Sequence, residues 1–113
     1  MAQNNMKGVG GICNTSFASI YKTPGVAGGA QRATGVTLQV TNTDTVQRLV
    51  TVKILDASNS LNPFVIANLL PIPANGTINL LTGATFFEAA DDLQIMADAA
   101  AKVNFWLSYL EKV

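Results

Sequence analysis

Val36-Thr37-Leu38-Gln39-Val40-Thr41 is followed by the polar break Asn42-Thr43-Asp44-Thr45 and then by Val50-Thr51-Val52-Lys53-Ile54. Apolar and polar residues alternate on both sides of the break. A period of two puts Val36, Leu38 and Val40 on one face of a strand and Thr37, Gln39 and Thr41 on the other. The β-branched side chains suit a pleated, half-buried surface. Two such runs across a short polar turn predict an antiparallel hairpin. One of its faces packs on a core, and the other meets water or a neighbour.

Further strand signals stand on either side. Upstream, Phe17-Ala18-Ser19-Ile20-Tyr21 is a short strand candidate, and Thr23-Pro24-Gly25-Val26-Ala27-Gly28-Gly29 is loop by its proline and glycine content. Lys7-Gly8-Val9-Gly10-Gly11-Ile12-Cys13 reads as an irregular edge strand. It lacks the Gly-Lys-Ser/Thr ending of a phosphate loop. Downstream, residues 62–70 form a strand candidate in which Pro63 belongs at the start or on an edge. Asn75-Gly76 marks a tight turn before the alternating Thr77-Ile78-Asn79-Leu80. Residues 86–113 fit two patterns. Leu93, Ile95 and Ala97 alternate, as do Val103, Phe105, Leu107 and Tyr109, yet Ala90, Leu93, Ala97, Ala100, Val103, Leu107 and Leu110 follow helical spacing. The strands upstream decide for strands, because a sandwich needs more of them to close. The expected fold is all-β: one antiparallel β-sandwich, jelly-roll or immunoglobulin-like, of about eight strands over residues 7–113, with a flexible polar arm at residues 1–6.

Composition narrows the function. Of the 113 residues 12% are charged, and the formal net charge is zero. Soluble domains carry about 25% charged residues. A neutral, charge-poor surface suits a subunit packed against others better than a free monomer. Lysines and arginines are scattered, so no footprint for nucleic acid appears. No apolar run approaches the roughly 20 residues of a membrane-spanning helix. Cys13 stands alone and excludes an intrachain disulfide. The polar start lacks the apolar stretch of a secretory signal, which predicts synthesis in a cytoplasm.

Chemistry-bearing residues are few. There is no histidine, the commonest general base and metal ligand. Glu88, Asp91 and Asp92 form the one acidic cluster, without the spacing of a calcium loop, and read as a carboxylate-capped turn. Cys13 has no basic neighbour to activate it and reads as an inert thiol. No nucleophile constellation surrounds Ser16, Ser19 or Ser60. The expectation is a protein that is not an enzyme and takes no cofactor or metal. Near the C-terminus, Phe105, Leu107 and Tyr109 belong to a core-facing side of one strand. Trp106 points the other way, as an interface anchor.

Residues 72–80, Ile-Pro-Ala-Asn-Gly-Thr-Ile-Asn-Leu, and residues 87–95, Phe-Glu-Ala-Ala-Asp-Asp-Leu-Gln-Ile, carry a resemblance over residues 34–113. They are similar to segments of small β-sandwich virion proteins of tailed bacteriophages, in which a Pro-Ala-Asn turn precedes an alternating strand and a Leu-Glu-Ala-Gly-Asp segment follows. Here Ala90 replaces the glycine and Phe87 the leucine, and an alanine argues against left-handed backbone at position 90. The resemblance implies a capsid decoration (cement) protein, or else a neck, tail or fibre part. The implied partners are the phage major capsid protein and further copies of the chain, with a trimer favoured. The implied location is the virion, after synthesis in the host cytoplasm. The residues assigned to the interface are Gln3, Asn4 and Asn5 of the arm, Gly8 and Gly10 of the glycine-rich segment, and Trp106. A carbohydrate- or receptor-binding module is the alternative, with Trp106, Tyr109 and Tyr21 as its platform.

Overall fold

The alternating segments become strands in the computed structural model, which describes residues 4–23, 32–81, 85–88 and 90–112. Among them run β1 (Asn4–Ile12), β2 (Ala18–Lys22), β3 (Arg32–Asn42), β4 (Arg48–Asp56), β5 (Asn62–Ile72), β6 (Thr77–Asn79), β7 (Thr85–Glu88), β8 (Asp92–Ala97) and β9 (Val103–Lys112). A 3-10 turn at Ala57–Asn59 is the one helical element among these residues. One sheet has the order β1-β9-β3-β6, with β7 also paired to β3, and the other has the order β2-β8-β4-β5. Every described pairing is antiparallel. With β6 and β7 taken as one interrupted strand, this is the eight-stranded double Greek key of a jelly roll. The expected all-β sandwich is therefore the fold, in its jelly-roll form.

The core lies between the sheets. Leu38 and Val40 of β3, Val50 and Val52 of β4, Leu93 and Ile95 of β8, and Val103 and Leu107 of β9 are fully buried. Each pair lies two residues apart, or four on β9, as the strand period requires. The ends of the chain register β1 on β9 and β9 on β3, from Asn4↔Lys112 to Ile12↔Asn104 and from Arg32↔Lys112 to Asn42↔Val103. Residues 86–113, which locally fit helix as well, thus supply the central strand of one sheet.

Four expectations change. First, β3 and β4 do not pair as a hairpin. They lie in different sheets, and the turn between them arches across the core. Asn42 bridges this arch. Fully buried, its Nδ2 reaches the carbonyls of Val46 (2.8 Å), Ile72 (3.0 Å) and Pro73 (3.2 Å), and its Oδ1 accepts from the Asp44 amide (2.9 Å). Second, Val36 is exposed, because the β3–β9 register shifts between Gly35 and Thr37 and the irregularity breaks the alternation. Third, Ala90 does adopt left-handed backbone, with φ 66°. The turn is held by Asp91, whose carboxylate accepts from the Ala57 amide (3.0 Å) and the Glu88 amide (2.9 Å), while the Ala90 amide donates to the Thr23 carbonyl (2.9 Å). These bonds offset the steric cost of a Cβ there. Fourth, among the described residues pairing runs from Asn4 onward. Within the stretch read as an arm, residues 4–6 therefore belong to β1, and residues 1–3 lie outside the described residues.

Candidate functional site

The outer face of the β1-β9-β3-β6 sheet is built around Trp106. On β9 it stands in register with Gly10 of β1 and Gln39 of β3. Its indole lies flat across β1. A Cβ on Gly8 would come within 2.4 Å of Cζ2, and one on Gly10 within 2.5 Å of Cε3. The two glycines are therefore needed for this close approach, and they give the ring a backbone floor. The other side of the ring is open, and Trp106 is 52% exposed. Met6 and Ile12, which share the face of Gly8 and Gly10 by strand parity, are more exposed still. One cross-strand row on this face runs Met6, Leu110, Thr34, Phe86.

Of the expected interface residues, the structure thus brings Gly8, Gly10 and Trp106 into one contact. Asn4 and Asn5 pair through their backbones with Lys112 and Glu111 on the same sheet. Gln3 lies outside the described residues. An alanine at position 10 is expected to tilt the indole off its floor. Since Trp106 is the single tryptophan, the emission of Gly10→Ala should shift to the red while its β-type circular dichroism is kept. Unchanged emission would show that the ring does not rest on β1.

The aromatic platform proposed for sugars does not form. Tyr21 and Tyr109 are buried, with ring centroids 4.3 Å apart, on the core side of the strands, whereas Trp106 is outside. Below them lies a buried carboxylate. Glu111 receives the Tyr21 hydroxyl, and its Oε1 stands 2.7 Å from Lys7 Nζ. Burial pushes the Glu111 carboxyl up, but the bonds from Lys7 and Tyr21 outweigh it and hold the group below its ordinary value of 4.5. The cluster ties β1, β2 and β9 together at one end of the sandwich.

The other candidate groups are occupied by structure. Asp91 holds its turn as described. Asp92 accepts from Ser19 Oγ (2.5 Å) and Gln94 Nε2 (2.9 Å). Glu88 is exposed on β7, and no three metal-ligating side chains cluster among the described residues. Cys13 is buried, and burial pushes its thiol up to about 11, far from a reactive thiolate.

A second apolar surface has no counterpart in the sequence reading. The edge strand β5 carries Phe64, Val65, Ile66 and Leu69, which with Leu61 before it are 41–55% exposed. Three consecutive exposed apolar residues break the period of two. The available signal was charge: residues 57–87 contain no charged side chain.

No protein-family model and no curated protein matches the chain. Solved structures do. A chain from the disulfide-linked pili of Bacillus endospore appendages superposes with TM-score 0.52 at 15% identity, covering 99% of this chain and 88% of that one. A chain of the T13 IBDV viral particle superposes with TM-score 0.56 at 7% identity, covering 97% of this chain and 31% of that one. A pentameric capsid protein isolated from metagenomic phage sequences gives TM-score 0.48 at 14% identity over 92% of this chain and 62% of that one. At such identities the first two likenesses establish the fold: a β-sandwich of the kind found in a virus-particle chain and in a pilus chain.

Proposed function

We propose that the chain is a structural subunit of a phage virion, a decoration protein that attaches to the capsid shell and acts by binding alone, without catalysis. The observation that carries this reading is the outer face around Trp106. A half-exposed indole on a glycine floor, flanked by exposed Met6 and Ile12, is a rigid apolar anchor with little conformational entropy left to lose. Zero net charge and few charged residues fit a surface meant to be covered. The jelly-roll topology is one that capsid proteins use, and the viral-particle likeness agrees with it. The partners in this reading are the major capsid protein and further copies of the chain, the trimer being the expected number. Attachment to an assembled shell, and not to its separated parts, stabilises the shell by linkage.

The test is addition of the protein to phage particles that lack it, with bound copies counted against free concentration. Trp106→Ala is expected to weaken attachment about thirtyfold, the equivalent of about 2 kcal/mol for an interface anchor, and to leave the fold intact. Equal occupancy by the two proteins would remove Trp106 from the interface. No binding by either would remove the shell as the partner.

A second reading, a subunit of a surface filament, is favoured by the pilus chain, which matches this chain almost end to end. Disulfide linkage of the kind named there would fall to Cys13, the single cysteine, and Cys13 is buried with its thiol pushed up to about 11. That disfavours disulfide-linked assembly for this chain. Filaments in electron micrographs of the purified protein would support the second reading over the first.

A further inference from the structure

The two sheets offer four edges, and three of them carry guards against further pairing. β6 and β7, which share one edge, are three and four residues long. β2 has five residues and a register shift between Ser19 and Tyr21. β5 has two register shifts against β4, and Pro63 and Pro71 within it have no N–H to offer. Short strands, bulges and prolines are the devices by which edges avoid strand addition. β1 has none of these. Its nine residues keep one unbroken register with β9 and include no proline, and among the described residues no strand lies on its other side.

The backbone groups at the open edge follow from the register. The Cys13 amide donates to the Val103 carbonyl (2.8 Å), one step beyond the pair Ile12↔Asn104. The strand period then turns the amides and carbonyls of Asn5, Lys7, Val9 and Gly11 toward β9. Those of Asn4, Met6, Gly8, Gly10 and Ile12 turn toward the open edge. Lysine is a common guard of such an edge, and Lys7 is the one charged residue of β1. Its ammonium, however, stands 2.7 Å from Glu111 Oε1, on the β9 side, so the charge is paired and drawn away from the open edge.

We propose that β1 pairs with β1 of a second copy, antiparallel and across a twofold axis at Gly8, and so joins the two β1-β9-β3-β6 sheets into one. Among the described strands, β1 itself is the one unguarded edge of matching length that a second copy offers. An axis at Gly8 sets Met6 opposite Gly10 and Asn4 opposite Ile12. It uses every outward amide and carbonyl of β1, each such pair exchanging two hydrogen bonds. It also sets Lys7 opposite Val9, whereas an axis at Lys7 would set two lysines against each other. On the outer face, exposed Met6 then adjoins Gly10 of the second copy, over which that copy's Trp106 ring lies. A thioether beside an aromatic ring is a favourable contact. A twofold contact uses up both edges and ends the pairing there. The inference goes beyond shell attachment and rests on the assembly reading only for self-association, since a twofold contact joins two trimers as well as two single chains.

The experiment uses the full chain. In the wild type at micromolar concentration, hydrogen exchange should find the amides of Met6, Gly8, Gly10 and Ile12 as protected as those of Lys7, Val9 and Gly11. Met6→Pro fills the open edge at a position whose amide does not face β9. It should halve the sedimenting mass and keep the β-type circular dichroism. It should also release the amides of Gly8, Gly10 and Ile12 while those of Val9 and Gly11 stay protected. Fast exchange of the outward amides in a wild-type oligomer, or a mass that Met6→Pro leaves unchanged, would overturn the β1 pairing and leave self-association standing. A wild-type monomer up to roughly 100 µM would overturn it as well. So would protection of these amides that arises only on added particles, which would assign the edge to a strand of the shell. Copies bound to those particles, counted separately, decide shell attachment.

Discussion

Asn42→Ala is expected to destabilise the protein by about 3 kcal/mol or more, the largest loss for any single substitution considered. The reason is the number of buried groups that lean on one amide. Nδ2 divides its two hydrogens among the carbonyls of Val46, Ile72 and Pro73, and Oδ1 holds the Asp44 amide. Alanine takes this bond from each, although the Pro73 carbonyl keeps the Gly76 amide (2.9 Å), and each buried group left without a partner costs about 1–3 kcal/mol. Asn42→Asp is the sharper variant, because its size is unchanged but it has no hydrogens to give. Its carboxylate would face carbonyl oxygens, so the loss should equal or exceed that of alanine. Urea denaturation should show the midpoint falling by more than about 1 M with the slope retained, given slopes of about 1–3 kcal/mol per molar for small proteins. A shift near zero in both variants would mean that water or backbone replaces the amide, and that the arch between the sheets does not depend on it.

Removing Glu111 should have the next largest effect on folding. Glu111→Gln takes away the negative charge that faces Lys7 and receives the Tyr21 hydroxyl, worth about 2 kcal/mol for a hydrogen bond to a charged group in a buried setting. The effect depends on pH with a definite sign. The folded Glu111 carboxyl titrates below its unfolded value near 4.5. Its contribution is therefore fully present above that value and is lost as the pH falls through the folded value. Wild type should lose more stability than Glu111→Gln between about pH 5 and about pH 2. Lys7 is held above its ordinary 10.5 by the bond to Glu111, so the alkaline limb has the opposite sense: its contribution is present below that value and lost above it. Parallel stability curves on the acid side would show that the pair contributes nothing net.

The sequence made the strands legible and their neighbours much less so. Period two in residues 36–41 and 50–54 reports which side chains are buried. It does not report which strand lies alongside, and the apparent hairpin proved to be an arch between two sheets. Adjacent alternating runs look the same in either case, and only the buried Asn42, which reads as an ordinary turn residue, separates them. Ala90 was misread for a related reason. Intrinsic preference weighs one residue, while the Asp91 carboxylate and the Thr23 carbonyl that fix its backbone come from elsewhere in the chain.

The surface was half legible. Trp106 reads as outward-facing from the alternation of β9, and Gly8 and Gly10 stand out as unusual in a strand. That these three make one contact depends on the β1–β9 register, which the intervening sequence does not encode locally. The exposed apolar residues of β5 escaped because an edge strand open on both faces shows no alternation of apolar and polar residues.

In the function proposed above, the chain is a structural part of a phage particle, held to the shell by the face around Trp106. Electron microscopy of the native particle, with the protein located on it, tests this most directly. Density for the sandwich is expected on the outside of the head, with the β1-β9-β3-β6 sheet turned toward the shell and Trp106 against it. Particles without that density, or the protein found in filaments apart from any shell, would contradict it.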